Sequence, residues 1–357
     1  MKKKTLLKLG GGMFLILLLG AIPFTGSHAQ EAAVPAREPF RIEIYSFMPG
    51  SGTYVMGVAL ADLINKHSKW LKATAVASRG ATINTGVLAK EPAKRKNTLV
   101  WANFSDHFLA STGRLQGMAG IKYNTLRVVT LVGLIGNGAI TLDPDIKNIR
   151  DFSGKRYALG PKAVWGMNTK FRALFQAAGI DGKMKYENMD FDKSKDALRD
   201  GLVDGMHGGS FYIGNGKWVG NPSLQELLMT KDVNFVQWNQ SDAENAAKLL
   251  NVPAELVFPQ YIVPAGKLGP KQRVPWTVNS SYMLWSADVE MPDDVVYEIC
   301  RVVYENYQEF GRFHITGKAI SRETMSKSES SDPKYVHPGA LKLYREKELA
   351  LGPIKLD

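Results

Sequence analysis

Few side chains in this sequence are placed for covalent chemistry, and several are placed to hold an anion. The six histidines include no pair three to five residues apart and no His-Glu-x-x-His element, so a zinc site has no support. A Gly-x-Ser-x-Gly nucleophile elbow is absent. Gly50-Ser51-Gly52 lacks the third glycine of a dinucleotide loop and the Lys-Ser/Thr pair of a phosphate loop, and no acid ends the next strand to hold a ribose. It reads as a backbone turn, as does Gly136-Asn137-Gly138. What remains is recognition. Arg79, in Ser78-Arg79-Gly80-Ala81, can grip a carboxylate through two parallel N–H bonds. Helix starts at Ser51-Gly52-Thr53-Tyr54 and Asn103-Phe104 offer unpaired N–H groups in a partly positive field. Trp165, with Gly166 and Met167 in a glycine-bounded loop, can stack on a ligand, and His207-Gly208-Gly209 follows a short predicted strand. Each has a plainer reading beside it. Ser51, Gly52 and Thr53 can simply cap a helix, Arg79 can be a solvated surface group, His207 a satisfied core histidine, and Trp101 strand packing. Cys300, the one cysteine, ends the apolar run Val295-Val296-Tyr297-Glu298-Ile299-Cys300 and is expected to be buried, with no intrachain disulfide.

The elements that would position these groups alternate between strand and helix. Arg41 to Ser46 alternates like a strand and leads into the loop at Ser51, after which Val55, Val58, Ala59, Leu63 and Ile64 recur at helical spacing. A strand at 73–77, a helix ending at Lys90, a strand at 98–102 and a capped helix start at Asn103-Phe104-Ser105-Asp106 follow. Residues 126–140 are nearly continuous in Val, Leu, Ile and Gly, as expected of a long buried strand crossing between domains. The alternation then restarts with a strand at 156–159, a helix from Asn168, strands at 183–186 and 202–206, and a helix at 194–200. Prolines and glycines over 264–276 mark a return crossing, and a strand resumes at 277–285. This pattern predicts an α/β protein with two lobes, each a mainly parallel sheet flanked by helices, joined by hinge crossings around a central cleft. The predicted division is lobe I at 40–136 plus 276–310, lobe II at 137–264, a return hinge at 265–275 and a C-terminal helical segment at 311–357.

The N-terminus carries Lys2, Lys3 and Lys4, an apolar run centred on Met13 to Leu19, and small residues at Ser27 and Ala29, the pattern of a cleavable export leader (1–29) cut near Gln30. A flexible segment at 30–39 follows. The apolar run is shorter than the roughly 20 residues of a membrane span, so no stable membrane insertion is expected after cleavage. Removing the leader's four lysines takes the formal net charge from +11 to about +7. Basic residues are scattered without interleaved aromatics, which argues against a nucleic-acid partner.

Ala287-Asp288-Val289-Glu290-Met291-Pro292-Asp293-Asp294-Val295-Val296-Tyr297-Glu298, with Val303-Tyr304-Glu305-Asn306, Phe310 and His337-Pro338-Gly339-Ala340-Leu341-Lys342-Leu343-Tyr344, closely resembles the C-terminal region of the TAXI family. These are extracytoplasmic solute-binding subunits of TRAP transporters. Gly52-Thr53-Tyr54 resembles the family's first cleft loop, and Phe152-Ser153-Gly154-Lys155-Arg156 its entry to the second lobe. The resemblance implies a periplasmic-binding-protein-like fold and a monomeric, periplasmic, non-enzymatic clamp. It would need no cofactor and would deliver a small organic anion to a TRAP membrane permease. Departures stand at Pro161-Lys162-Ala163-Val164-Trp165-Gly166-Met167, Ser78-Arg79-Gly80-Ala81 and His207-Gly208-Gly209, so a relative's ligand does not carry over. A bulky or aromatic carboxylate suits Trp165 and Arg79 better. The expected ligand contacts are Ser51, Gly52, Thr53, Tyr54, Arg79, Gly80, Ala81, Asn103 and Phe104 from lobe I. Trp165, Gly166, Met167, His207, Gly208 and Gly209 would close from lobe II. A ligand sensor for a membrane receptor, or an exported enzyme using His207 or Cys300, are the alternatives.

Overall fold

Period-two alternation buries Ile42 and Ile44 on one face of strand β1 (Phe40–Tyr45). A period near 3.6 buries Met56, Ala59, Leu60, Leu63 and Ile64 along helix α1 (Gly52–His67). In this computed structural model residues 38–356 are described, apart from Gly50, Ala119 and Ala163; the expected leader and most of the segment after it lie outside the described residues. The chain continues through β2 (Leu71–Val76), α2 (Ala81–Lys90), β3 (Thr98–Asn103), α3 (Phe104–Ser111) and the long β4 (Leu126–Thr141). It then passes through β5 (Arg156–Leu159), α4 (Thr169–Ala177), β6 (Lys185–Asn188), α5 (Phe191–Arg199) and β7 (Gly205–Tyr212). After these come β8 (Trp218–Gly220), α6 (Pro222–Thr230), β9 (Asn234–Phe235), α7 (Gln240–Leu249), α8 (Ala254–Val257) and β10 (Gln260–Val263). The long β11 (Trp276–Asp288), α9 (Asp293–Phe313) and α10 (Pro338–Glu346) complete it.

The strands form one mixed sheet in the order β2-β1-β3-β11-β4-β7-β5-β6. β1 lies parallel between β2 and β3, and β5 lies parallel between β6 and β7. Each three-stranded parallel wing therefore has its first strand in the middle, as right-handed strand–helix–strand crossovers on either side of it produce. Between the wings, β11 runs antiparallel to both β3 and β4, and β4 antiparallel to β7. The predicted alternation and both long crossings are thus present, but the two sets are wings of a continuous sheet. Helices flank it, giving a mixed α/β architecture.

Two expectations about glycines are corrected. Gly136-Asn137-Gly138 is no turn but the interior of β4, and His207-Gly208-Gly209-Ser210 is no strand end but the middle of β7, paired with β4 from Ile140↔Met206 to Leu134↔Tyr212. Glycine inside a strand marks a close approach, and here the cause is visible. A Cβ at Gly136 would stand 2.7 Å from Val278 Cγ2, one at Gly208 2.9 Å from Trp276 Cη2, and one at Gly138 would meet the Trp276 indole. Beyond α9 the C-terminal region carries short 3-10 helices at Ile315–Ala319 and Pro333–Tyr335 and then α10, joined by turns and extended chain that contacts β4 and β11.

Candidate functional site

β11 has a gap along one edge. β10 pairs with it over Trp276–Asn279 and β3 over Met283–Ser286, leaving the stretch 280–282 between them without a strand on that side. Backbone N–H groups there must find other acceptors. Ser280 N donates to Pro259 O at 2.8 Å, and Tyr282 N donates to the carboxylate Oε1 of Glu329 at 3.1 Å. Four further pieces of chain, drawn from both wings, come to this gap.

From the first wing comes the β3–α3 junction, held by a capping box in which the Asp106 carboxylate accepts from Asn103 N at 3.0 Å and from Thr82 Oγ1 at 2.8 Å. Thr82 ties the loop after β2 to the same junction. The loop after β1 reaches it through Thr53, whose Oγ1 lies 3.9 Å from Met283 Sδ, and Met283 is the β11 partner of Asn103. From the second wing comes the start of α4, which carries Lys170, only 2% exposed. Its ammonium lies 5.3 Å from the centre of the Phe258 ring and forms no ion pair with any described residue. Gln260, Asn279 and Asn137 stand opposite one another across β10, β11 and β4.

The electrostatics are unusual for a protein interior. Burial pulls the Lys170 ammonium down to about 8 against the charges of Glu329 and Asp106, and pushes the Glu329 carboxyl up to about 8. Burial likewise raises Asp106, against its hydrogen bonds from Asn103 and Thr82. Gln260 Nε2, Asn137 Oδ1 and Glu329 Oε2 are buried with no hydrogen-bond partner among the described residues. Each such group costs roughly 1–3 kcal/mol of desolvation, so their concentration at the seam between two wings is the mark of a site built to receive polar atoms.

The residues expected from sequence fall in several places. Ser51 caps α1, accepting from Tyr54 N at 3.1 Å while its Oγ donates to Met48 O at 2.7 Å. Gly52 lies under the His314 ring, 2.7 Å from where its Cβ would stand, and Tyr54 is half-buried in the first turn. Arg79 is exposed and forms no ion pair with a described residue; Gly80 beside it takes φ +122°, a value that favours glycine, and Ala81 is buried at the start of α2. Asn103 is half-buried at the gap, whereas Phe104 is fully buried, edge-on to Tyr335 at 5.0 Å. Trp101 is half-buried, edge-on to Phe47 at 5.4 Å. Trp165 packs against the apolar clusters of both wings. Gly166 has open space, with the Lys170 stem 3.9 Å from its Cβ position, and Met167 covers Gly160. His207 is buried, 4.0 Å ring to ring from Phe171 and 5.4 Å from Tyr157, and desolvation takes it down to about 3. Gly208 meets Trp276, and Gly209 faces the Asn221 side chain. The structure therefore brings Thr53 and Asn103 to Met283 at the β11 gap and Gly166 beside the Lys170 stem, with Trp165 between two apolar clusters and Arg79 in the loop leading to Thr82.

Sequence reasoning missed Lys170, Glu329, Gln260 and Asn137. Lys170 did leave a signal, since it sits four residues before Leu174 and next to Phe171 on the buried face of α4, where a lysine has no reason to be unless something needs its charge. Glu329 left none, lying in a polar, irregular stretch.

Neither candidate nucleophile is poised for chemistry. A neutral, caged His207 is a poor base at ordinary pH. Cys300 is fully buried, its Sγ 3.4 Å from Val129 O, and burial pushes its thiol up to about 12. In the native protein Cys300 is expected to react with an aromatic disulfide reagent at pH 8 only at the rate of unfolding, and at once in denaturant. Stoichiometric reaction of the native thiol within seconds would contradict that burial.

Among the described residues no helix is long and apolar enough to cross a membrane, and no cluster of three or more metal-ligating side chains is found. Solved structures with a similar course include MatC from Rhodopseudomonas palustris with bound malate, at 13% identity and TM-score 0.47, covering 88% of this chain and 97% of that one. Another R. palustris protein, solved with adipate, matches at 14% identity and TM-score 0.48, covering 89% and 99%. The periplasmic sulfonate-binding protein SsuA from Methylobacillus flagellatus matches at 15% identity and TM-score 0.45, covering 89% and 92%. Residues 49–347 match the model of the NMT1-like family. The chain belongs to the NMT1-like family.

Proposed function

We propose that this chain is the extracytoplasmic solute-binding subunit of a TRAP-type transporter, of the TAXI kind. It would capture a small organic anion by closure of two lobes and deliver it to the membrane permease. The observation that carries this reading is the β11 gap, where buried, unpartnered polar groups and a buried lysine stand between two wings of the same strand order. The wings act as lobes, 40–136 plus 276–310 and 137–264, with the long strands and 265–275 as hinge, and the tail packs across them. Closure follows from differential affinity: a ligand that touches both lobes favours the closed form by the contacts it cannot make in the open one. Ser51, Gly52, Thr53, Tyr54, Arg79, Gly80, Ala81, Asn103 and Phe104 line or support the first side, and Trp165, Gly166, Met167, His207, Gly208 and Gly209 the second. The protein works as a periplasmic monomer.

The test is a thermal-shift screen of residues 30–357 against organic acids. A ligand at a hundred times its Kd stabilises the native state by about 2.7 kcal/mol, and it should be recovered unchanged. Uptake of that ligand into vesicles carrying a TRAP membrane subunit should then need both this protein and an ion gradient. Uptake that is independent of the protein would exclude the transport role. Arg79→Ala is expected to weaken binding about tenfold by removing a charge-assisted pair at the entrance; an unchanged Kd removes Arg79 from the site.

A further inference from the structure

We propose that Lys170 is the interior anchor of the ligand, and that the β11 gap is built for the single carboxylate head of an anion with an apolar body. The proposal rests on the solute-binding reading above and names its ligand class.

Three observations carry it. Lys170 is almost completely buried, with an aromatic face at 5.3 Å and no ion-pair partner among the described residues. An ammonium taken out of water without a close counter-charge is costly, and a protein that only needed an apolar α4 face would place Leu or Met there. Lys170 is also at the seam rather than in one lobe's core: the carboxyl groups whose charge it feels are Asp106, on the opposite wing, and Glu329, on the tail. Finally, the gap offers donors and acceptors that no described residue uses, Glu329 Oε2 and Gln260 Nε2 among them.

The same groups set the class. Lys170 is the one buried cation found there among the described residues, so a second anionic head inside the gap would face the Asp106 carboxyl with no cation of its own. That disfavours dianions in the interior. Burial keeps the Glu329 carboxyl protonated near neutrality, which makes its free oxygen a donor. A bound carboxylate accepts from that O–H in a charge-assisted bond; a sulfonate is far less basic and gains less. The apolar body would lie along Phe258, whose ring borders the ammonium, and towards Trp165, which packs against the same apolar cluster.

The experiment titrates hexanoate, benzoate, phenylacetate, adipate and hexanesulfonate into residues 30–357 by calorimetry at pH 7, for the wild type, Lys170→Met and Lys170→Gln. At least one monocarboxylate is expected to bind, with adipate and hexanesulfonate at least about tenfold weaker. Both variants should weaken that monocarboxylate by about 30-fold or more, as loss of a hydrogen bond to a charged group implies. Lys170→Met should melt no lower than the wild type, because it replaces an unpaired buried charge with a side chain of similar shape. Binding of a monocarboxylate that survives in both folded variants overturns the anchor while leaving the solute-binding reading intact. Tighter binding of adipate or hexanesulfonate overturns the ligand class. Absence of binding by all five at 10 mM overturns the anion reading as a whole, and the proposed function with it.

Discussion

Trp276→Ala is expected to lower the stability of the protein by about 3–5 kcal/mol, the cost of deleting a fully buried indole from a well-packed site. Trp276 opens β11 and is completely buried. Its ring lies across the two glycines Gly138 and Gly208, on β4 and β7, so closely that neither could carry a Cβ without a shift. It also packs edge-on against Phe235 at 5.1 Å, and its Nε1–H donates to Ala139 O at 3.2 Å. The site cannot collapse to fill the hole, because the surrounding strands are fixed by their ladders on both sides. Since a domain's whole stability is roughly 5–15 kcal/mol, this one change removes a large share of it. Trp276→Phe keeps most of the packing and loses the donor, while Ala139 O still accepts from Val236 N at 3.0 Å, so about 1–2 kcal/mol is expected, mostly from the volume lost with the indole. Denaturant titration separates the cases: a loss below 1 kcal/mol for Trp276→Ala would show that the crossing strands are not packed around this ring.

Trp276 also illustrates where the sequence was legible and where it was not. Strand and helix existence followed from period, because burial of Ile42 and Ile44, or of Leu60, Leu63 and Ile64, is decided within a few residues. The Asn103-Phe104-Ser105-Asp106 start was legible for the same reason: a capping box is a local bargain between residues three apart. Gly138, Gly208 and Gly209 were misread as loop glycines, since the bulk that requires them, Trp276 and Asn221, arrives from distant parts of the chain. The site divides in the same way. Ser51 and Asn103 were found because helix caps announce themselves, yet the structure uses Ser51 chiefly to cap α1. Lys170 and Glu329 feel each other's charge only because α4 and the tail converge on the gap in β11, and no spacing in the chain records that convergence.

The charges at that gap carry the second large prediction: affinity for a monocarboxylate should fall between pH 7 and pH 9.5 by about 30-fold for each of the two protons, up to about 1,000-fold in all, at tenfold for each proton per pH unit beyond the transition. The sign follows from both groups separately. Lys170, held down to about 8 by burial, is a cation below that pH and loses its charge above it. Glu329, held up to about 8, is a neutral donor below that pH and becomes an anion above it. Raising the pH therefore removes the attracting charge and creates a repelling one within the same interval. Conversely, a bound carboxylate favours the protonated form of both, so binding near pH 8 takes up protons from solution. Of the other groups facing the pair, Asp106 faces Lys170 from α3, while the Tyr261 and Tyr282 hydroxyls beside Glu329 are raised by burial and stay uncharged. Calorimetry in buffers of different ionisation heat gives the proton uptake directly. Glu329→Gln keeps a neutral donor at the same place, so at pH 7 it should bind within about threefold of the wild type, and its pH dependence should flatten to that of Lys170 alone. An affinity that is constant from pH 7 to 9.5, or that rises, would show that neither group meets the anion. A Glu329→Gln profile identical to the wild type would leave Lys170 as the one titrating contact and put the tail outside the site.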